Sequence, residues 1–172
     1  MNQIHFTIYG TPQQVGSKTP WIPRRADGSM VEKNCRPVIA TMDSNKKSKP
    51  WMAAVRAAAG EAYRETLLTG PVRLVVVFHF PRPKAHYRTG KHAGQLRTDA
   101  PLWHDKTPDC DKLVRCLADG LTGVIWVDDR QVAMVEASKQ WTDRQARAVV
   151  TICPLADRGT VEQVSTLFSN HG

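Results

Sequence analysis

The sequence predicts an α/β fold, with a single small mixed β-sheet whose elements follow the order β-α-β-loop-α-β-β. Apolar residues alternate over residues 4–9 and 72–80, as in strands, and recur every three or four residues over 51–68 and 111–121, as in helices. Residues 72–80 are apolar on both faces, which is typical of a central strand in a covered sheet. Because 172 residues fit one domain, we expect residues 1–172 to form a single domain.

The first half of the chain supplies a strand, a helix and the central strand. The alternation over 4–9 predicts the first strand. Pro50 suits the first turn of the helix over 51–68, and Gly70 provides a stop signal for it. The strand over 72–80 follows directly, so these three elements are expected to be neighbours in one core.

The second half of the chain supplies the other helix and two further strands. Leucines at every fourth position form the buried stripe of the helix over 111–121. Strands at about 131–138 and 146–153 are predicted to form a hairpin closed over residues 140–144. A capping-box pattern that starts at Thr160 predicts a short C-terminal helix.

Two long segments rich in proline and basic residues separate these elements, at about 10–49 and 81–108. Neither has a hydrophobic period, so both are predicted to be loops. In the first of them, Ala26-Asp27-Gly28 is a suitable turn for a small hairpin between 21–25 and 37–42.

Composition excludes several classes of protein. The longest purely apolar run is 74–78, whereas a membrane span needs about 20 residues. The N-terminus lacks the basic start and apolar core of a secretory signal. The four cysteines form no CxxC pair, so neither a zinc site nor a disulfide framework is indicated. No GxSxG or GxxxxGKS motif supports a serine hydrolase or a P-loop enzyme. We expect a protein of the reducing cytoplasm, with no membrane partner.

The net charge of +8 is unevenly distributed along the chain. Residues 1–50 hold 8 Lys or Arg against 3 Asp or Glu, and residues 81–108 hold 6 against 2. Residues 109–129 reverse the sign, with 2 basic and 5 acidic residues. A basic surface favours a polyanionic partner, and a carboxylate cluster favours a divalent cation. Together they indicate metal-dependent phosphodiester chemistry.

The acidic segment contains the strongest candidate site. Asp109 and Asp111 lie at the start of the second helix, where the helix dipole stabilises carboxylates, and Asp128-Asp129 follows that helix. Arg115 lies one turn beyond Asp111 on the same side. In the alternative interpretation, Asp111 is an ordinary helix cap and Asp128-Asp129 merely opens a turn. Spacing alone leaves both interpretations open.

The basic residues of the two loops are candidate contacts to a phosphate backbone. The alternative is that they form a solvated surface that only aids solubility. Tyr87 and Trp103 are positioned to stack on bases, although a lone loop aromatic more often packs locally. The candidate DNA-binding cations of these segments are Lys18, Arg24, Arg25, Lys46, Lys47, Lys84, Arg88 and Lys91.

The central segment resembles a known family. Residues 106–132, KTPDCDKLVRCLADGLTGVIWVDDRQV, resemble the signature of RusA-type Holliday junction resolvases, which reads roughly K-x-P-D-x-D-N-L-x-K-x-x-x-D-x-L and then W-x-D-D-x-Q-V. The opening FTIYGTPQQVGSK and the later SNKKSKPW are similar to phage-encoded members. The likeness covers most of residues 4–139 in order.

The resemblance implies a homodimeric, Mg²⁺-dependent endonuclease, with Mn²⁺ as a substitute, that resolves four-way DNA junctions by symmetric paired nicks during recombination and repair. It places the metal-binding and catalytic aspartates at Asp109, Asp111 and Asp129. The family's catalytic lysine falls on Arg115 and its usual asparagine on Lys112. Arginine keeps the positive charge but cannot give up a proton. Lys112 is expected to add a phosphate contact or to occupy an exposed helix position.

Two other functions stay open on the sequence alone. One is a non-catalytic DNA-binding relative, in which Arg115 and Lys112 mark lost catalysis. The other is a metal-dependent nuclease that prefers flaps or forks to four-way junctions. The compact chain and the N-terminal pattern favour a phage or prophage origin.

Overall fold

A computed structural model describes residues 3–156. Its strands and helices follow the predicted main order, with four short extra strands in the first basic loop. The C-terminal helix predicted from Thr160 lies outside the described residues. The elements are β1 (Ile4–Tyr9), β2 (Lys18–Trp21), β3 (Glu32–Lys33), β4 (Arg36–Pro37), β5 (Ala40–Asp43), α1 (Ser48–Ala62), β6 (Val72–Pro81), α2 (Cys110–Leu121), β7 (Val132–Thr142) and β8 (Arg147–Pro154).

The main sheet has the strand order β1-β8-β6-β7 and is mixed, as predicted. β8 is antiparallel to both β1 and β6, whereas β7 is parallel to β6. The parallel pair is connected through α2, as a parallel connection requires a crossover. The position of β6 between two partners confirms the central strand predicted over 72–80.

The predicted hairpin between the last two strands is wrong. β7 and β8 flank β6 instead of pairing with each other, although only four residues connect them. β6 has two edges whose backbone groups need hydrogen-bond partners, and its buried side chains favour the middle of the sheet. β7 occupies one edge through the α2 crossover, and β8 occupies the other.

Both helices pack on one face of the sheet and enclose the core. The buried face of β6 carries Val72, Leu74, Val76, Phe78 and Phe80, each less than 9% exposed. The opposite face of β6 is half-buried, and no helix of residues 3–156 covers it. The sequence predicted a sheet covered on both faces. Within residues 3–156, the helices cover only one of them.

The first helix ends at Ala62, six residues before its predicted C-terminus at residue 68, because the following residues pair with another part of the chain. α1 ends at Ala62, and Tyr63 is extended. The N–H of Leu68 donates to the carbonyl of Ile125 at 2.8 Å, and Leu68 forms a parallel bridge with Trp126. Leu68 thus pairs with the turn that follows α2, and the chain from Tyr63 leaves the helix to reach it.

The first basic loop is a folded arm. β2 pairs antiparallel with β5, and β3 with β4. An antiparallel bridge joins Arg24 to Met30 across the turn at 26–28, which is the turn predicted from Ala26-Asp27-Gly28. The arm places its basic residues on a hairpin that projects from the end of the molecule where α1 begins.

Candidate active site

The candidate site lies at the N-terminus of α2. Asp109 is the N-cap residue, and Asp111 is exposed in the first turn. The backbone N–H of Asp109 donates to Oε1 of Gln14 at 2.6 Å, and the N–H of Val15 donates to the carbonyl of Lys112 at 3.3 Å. The segment that follows β1 therefore crosses the first turn of α2 and holds the two aspartates at the positive end of the helix dipole.

Lys112 forms an ion pair inside this site. Its Nζ lies 2.6 Å from Oδ2 of Asp109, and both side chains are 44% exposed. The hydrogen bond and the charge of Lys112 lower the pKa of Asp109, and Asp109 in turn raises the pKa of Lys112. Asp109 is therefore ionised at neutral pH, as a metal ligand has to be, and Lys112 balances its charge.

A groove of about 510 Å³ opens beside Asp111. It carries cations from two directions: Lys18 from β2, and Lys112 and Arg115 from α2. Arg115 lies on the exposed side of α2, one turn beyond Asp111, as its spacing predicts. Asp43 and Asp119 also line the groove, so it carries both acidic and basic groups.

The arm that supplies Lys18 is attached to α1 through Asp43. This carboxylate accepts hydrogen bonds from the N–H of Gly16 at 2.7 Å, the N–H of Asn45 at 2.8 Å and the hydroxyl of Ser48 at 2.7 Å. Burial acts to raise the pKa of Asp43, but the hydrogen bonds outweigh it and the pKa is lowered. A Cβ on Gly16 would lie 2.3 Å from Oδ1 of Asp43, so only glycine fits there.

Lys139 positions the chain immediately before Asp109. Its Nζ donates to the carbonyl of Lys106 at 2.7 Å and to that of Pro108 at 2.9 Å. Lys139 is near the carboxyl end of β7, so this contact attaches the second basic loop to the sheet.

Asp129 lies far from the other two predicted catalytic aspartates. It belongs to a short 3₁₀ turn that precedes β7, whereas Asp109 lies next to Lys139 near the far end of that strand. Seven residues of strand separate Val132 from Lys139, which corresponds to about 23 Å. The 12 residues of α2 span about 18 Å between the same two ends. Within one subunit, Asp109 and Asp111 are brought together and Asp129 is not.

Asp128 has a local structural role. Its side chain accepts a hydrogen bond from the N–H of Arg130, and the Gln131 side chain completes a capping box. This is the turn-opening role that the sequence had left open for Asp128-Asp129. Asp129, the neighbouring residue, is exposed to solvent.

The carboxylate oxygens of Asp109 and Asp111, at the N-terminus of α2, are the type of ligand that a hard cation prefers. Among residues 3–156, no group of three or more His, Cys, Asp or Glu side chains is close enough to hold a metal ion. Mg²⁺ is commonly bound through only one or two carboxylates together with substrate phosphates and water. Asp109 and Asp111 fit that requirement, and a third carboxylate would have to come from elsewhere.

The predicted DNA-binding cations surround this end of the molecule. Lys46 and Lys47 immediately precede α1, and Lys47 is its N-cap residue. Seven of the nine predicted cations are exposed and make neither an ion pair nor a side-chain hydrogen bond within residues 3–156: Lys18, Arg25, Lys46, Lys47, Lys84, Arg88 and Lys91. Arg24 is also exposed, with its guanidinium donating to the carbonyl of Gly28 at 2.9 Å, and Lys112 is the partner of Asp109.

Two positioning residues were missed because their contacts are distant in the sequence. Gln14 is 95 residues from Asp109, and Lys139 is 31 residues from Pro108. Gln14 falls within the opening segment that resembles phage-encoded members, but that likeness assigns it no role. No local pattern predicts either contact.

Carboxylates at a helix N-terminus, beside a groove lined by cations, are typical of enzymes that cleave phosphodiesters. Residues 29–153 match the family described as Endodeoxyribonuclease RusA. The chain is also 31% identical, over 144 residues, to the Uncharacterized protein YqaN of Bacillus subtilis (strain 168), which covers 83% of this chain and 91% of that protein.

The chain therefore belongs to the RusA endodeoxyribonuclease family of Holliday junction resolvases, and it is a hydrolase that acts on DNA. The resemblance seen in the sequence is confirmed. Nucleases of this family generally depend on a divalent metal. Neither helix within residues 3–156 has the length and apolar composition needed to cross a bilayer.

Proposed function

We propose that residues 1–172 form a single endonuclease domain that dimerises and resolves four-way DNA junctions by symmetric paired nicks in recombination and repair. One observation carries the proposal. Asp109 and Asp111 lie together at the positive end of α2, between the two basic loops. A cytoplasmic site of action, in the host of a phage or prophage, suits a protein whose substrate is DNA.

In this proposal Asp109 and Asp111 hold a Mg²⁺ ion, for which Mn²⁺ can substitute. When bound, the metal polarises the scissile phosphate and makes an attacking water more acidic. The protein itself sets the charge and the position of Asp109. Lys112 favours the ionised form of its carboxylate, while Gln14 accepts its N–H and Lys139 holds the preceding carbonyl of Pro108.

Arg115 is proposed to stabilise the charge that develops on the phosphate in the transition state. It projects into the same groove as Asp111 and Lys112. A guanidinium can donate two parallel hydrogen bonds to phosphate oxygens but stays protonated throughout. Arg115 thus serves electrostatic stabilisation and not proton transfer.

We further propose that the third carboxylate comes from a second subunit. Asp129 is at the opposite end of α2 from Asp109, so it cannot share a metal with Asp109 in the same chain. In the proposed twofold dimer, Asp129 of the partner subunit would complete each Asp109–Asp111 pair, and the symmetry would make the two sites identical. Two identical composite sites would also match the near-twofold symmetry of a four-way junction.

The two basic loops are proposed to grip the arms of the junction. Both helices begin at the same end of the molecule, so two positive helix ends point toward the bound phosphates. α1 has no acidic residue in its first turn, and Lys46 and Lys47 lie beside it. An anion at this end would relieve the repulsion between those lysines and the helix dipole. Lys84, Arg88 and Lys91 would contact the backbone from the other loop.

The proposal is tested by cleavage of synthetic four-way, flap, fork and linear duplex DNA with Mg²⁺, Mn²⁺ or EDTA. We expect paired, symmetric nicks in the four-way junction only when metal is present. Asp111→Asn should lower cleavage by more than about 100-fold, because it removes a ligand charge, while junction binding persists. Glu61→Gln, an exposed acid near the end of α1, is the matched control and should cut normally.

Other outcomes would replace the proposal with a specific alternative. A preference for flaps or forks would make the protein a different structure-specific nuclease. Junction binding without cleavage in any metal would indicate the non-catalytic relative. Cleavage by Asp111→Asn at the normal rate would remove the N-terminus of α2 as the catalytic centre.

A further inference from the structure

The segment that leads into the candidate site is firmly attached to the sheet, yet it exposes its largest side chain. We call residues 101–108 the entry segment, since they end at Asp109. Within it, 69% of Trp103 and 76% of Leu102 are exposed. Exposing a large apolar side chain costs about 25 cal/mol per Å² relative to burying it. The contacts described below hold the backbone of this segment, so the Trp103 side chain stays exposed. Its exposure is therefore consistent with a role in binding a partner.

The backbone of the entry segment is held at four carbonyls. Three side chains at the carboxyl ends of β6 and β7 donate to them. The Arg82 guanidinium donates to the carbonyl of Pro101 at 2.8 Å, and the indole N–H of Trp141 donates to that of Trp103 at 3.1 Å. Lys139 holds the two carbonyls nearest to Asp109.

A buried ring completes the attachment directly after Trp103. His104 is only 7% exposed and lies between Phe80 and Trp141, with ring centroids 4.6 and 4.2 Å away. The ring of His104 thus packs inward while the neighbouring Trp103 side chain points outward. The indole is therefore presented to solvent six residues before Asp109 by a backbone that has little freedom to move.

The other aromatic candidate in this loop behaves differently. The hydroxyl of Tyr87 donates to the carboxylate of Asp143, and its ring is half-buried. Tyr87 therefore packs locally, which was the alternative that the sequence left open for both residues. Only Trp103 of the two is available to an external partner.

The surroundings of Trp103 favour a partner that is flat and negatively charged. The loop of residues 81–108 has a net charge of +4, and the Lys106 side chain is 77% exposed. Nucleic-acid bases stack on exposed aromatic rings, while nearby cations hold the connecting phosphates. A paired duplex hides its base faces in the helical stack, whereas a branch point exposes them.

We propose that Trp103 stacks on an unstacked base at the branch point of the DNA and so aligns the neighbouring phosphate with Asp109 and Asp111. This inference rests on the proposed function, because it assigns the feature of branched DNA that the same site recognises. Trp103 is a specificity-determining residue in this account. The phosphate contacts of the basic loops are made with any DNA, whereas the stacking contact requires a branch.

The test compares Trp103→Ala with two matched variants, in EDTA so that binding is measured without cleavage. Trp103→Phe keeps a flat ring, and Leu102→Ala shortens the adjacent, equally exposed side chain. We expect Trp103→Ala to bind a four-way junction at least about fivefold more weakly, with an unchanged Kd for linear duplex. Trp103→Phe should retain most of the affinity, and Leu102→Ala should match the wild type.

A fluorescent base analogue supplies a direct readout. The wild type and Trp103→Phe should change the emission of 2-aminopurine at the branch point, and Trp103→Ala should not. The inference is overturned if Trp103→Ala binds junctions normally, loses junction and duplex affinity equally, or dissociates the dimer in sedimentation. It is distinguishable from the proposed function, because that function is tested by whether the wild type cuts the four-way junction, whereas this inference is tested by whether Trp103→Ala loses affinity for it.

Discussion

At the scale of the residue, Lys139 lies outside the acidic motif but holds the backbone that leads into it. Its ammonium satisfies the carbonyls of Lys106 and Pro108 and lies close enough to Asp109 to contribute to the lowering of its pKa. Hydrogen bonds from a charged donor are stronger than neutral ones, so this contact fixes the start of α2. Catalysis depends on such positioning, since a shift of about 1 Å can slow a reaction about 100-fold.

Lys139→Met should therefore lower the rate of junction cleavage by about 10- to 100-fold, while the Kd for the junction changes little. The methionine keeps the aliphatic stem but cannot hold the two carbonyls. Lys106→Met is the matched control, because it removes an equal charge close to the same site and its ammonium makes only a 3.7 Å pair with Asp105. Equal effects of the two substitutions on cleavage would mean that charge, and not positioning, is responsible.

The sequence predicts the part of this site that depends on local spacing. Helical periodicity places Asp111 and Arg115 on one side of α2, and the structure has them in one groove. Gln14, Lys139 and the ion pair of Lys112 were not predicted. The first two contacts join distant parts of the chain, and the third depends on which of several partners a long flexible side chain selects.

At the scale of the element, the close packing of α1 on α2 positions the site. A Cβ on Gly120 of α2 would lie 2.9 Å from Cγ1 and 3.0 Å from Cβ of Val55, which is completely buried in α1. The two helices approach each other closely because Gly120 has no side chain. This contact near the C-terminus of α2 fixes how closely the two helices pack, and their N-termini, with Lys47 on one and Asp109 on the other, lie at the opposite end of α2.

Gly120→Ala should lower the free energy of unfolding by about 1–3 kcal/mol, because overpacking a core contact forces helices apart. Gly60→Ala is the matched control. Gly60 lies in α1 with open space around it, so alanine there should raise stability by about 0.5–1 kcal/mol through helix propensity. Urea denaturation of both variants measures the difference. A stabilising Gly120→Ala would show that the helices are not in tight contact.

The elements also show where periodicity is insufficient. Both helices and the strands β1, β6, β7 and β8 are where the apolar patterns predict them, within a few residues at most ends. The pairing of β7 with β8 was predicted wrongly, because a short connection is the strongest local signal for a hairpin. Strand order is decided instead by which strand best fills the middle of the sheet, and that is a property of the whole core.

At the scale of the whole molecule, the uneven charge of the chain becomes a spatial arrangement. The acidic residues of 109–129 do not form one cluster, since Asp109 and Asp111 lie at one end of α2 and Asp128 and Asp129 beyond the other. Sequence proximity suggested a single metal site, but a helix about 18 Å long separates its parts. In the proposed function a single subunit therefore holds only two of the three carboxylates together, and a second subunit supplies the third.

The composite site is tested most directly by mixing two inactive subunits. Asp111→Asn and Asp129→Asn should each abolish junction cleavage. A mixed dimer would contain one site with both substitutions and one site with neither. With random exchange, half of the dimers are mixed, so the mixture should regain about a quarter of the wild-type sites and should nick one strand per dimer. A mixture that stays inactive, although mass spectrometry detects mixed dimers, would contradict a site shared between subunits.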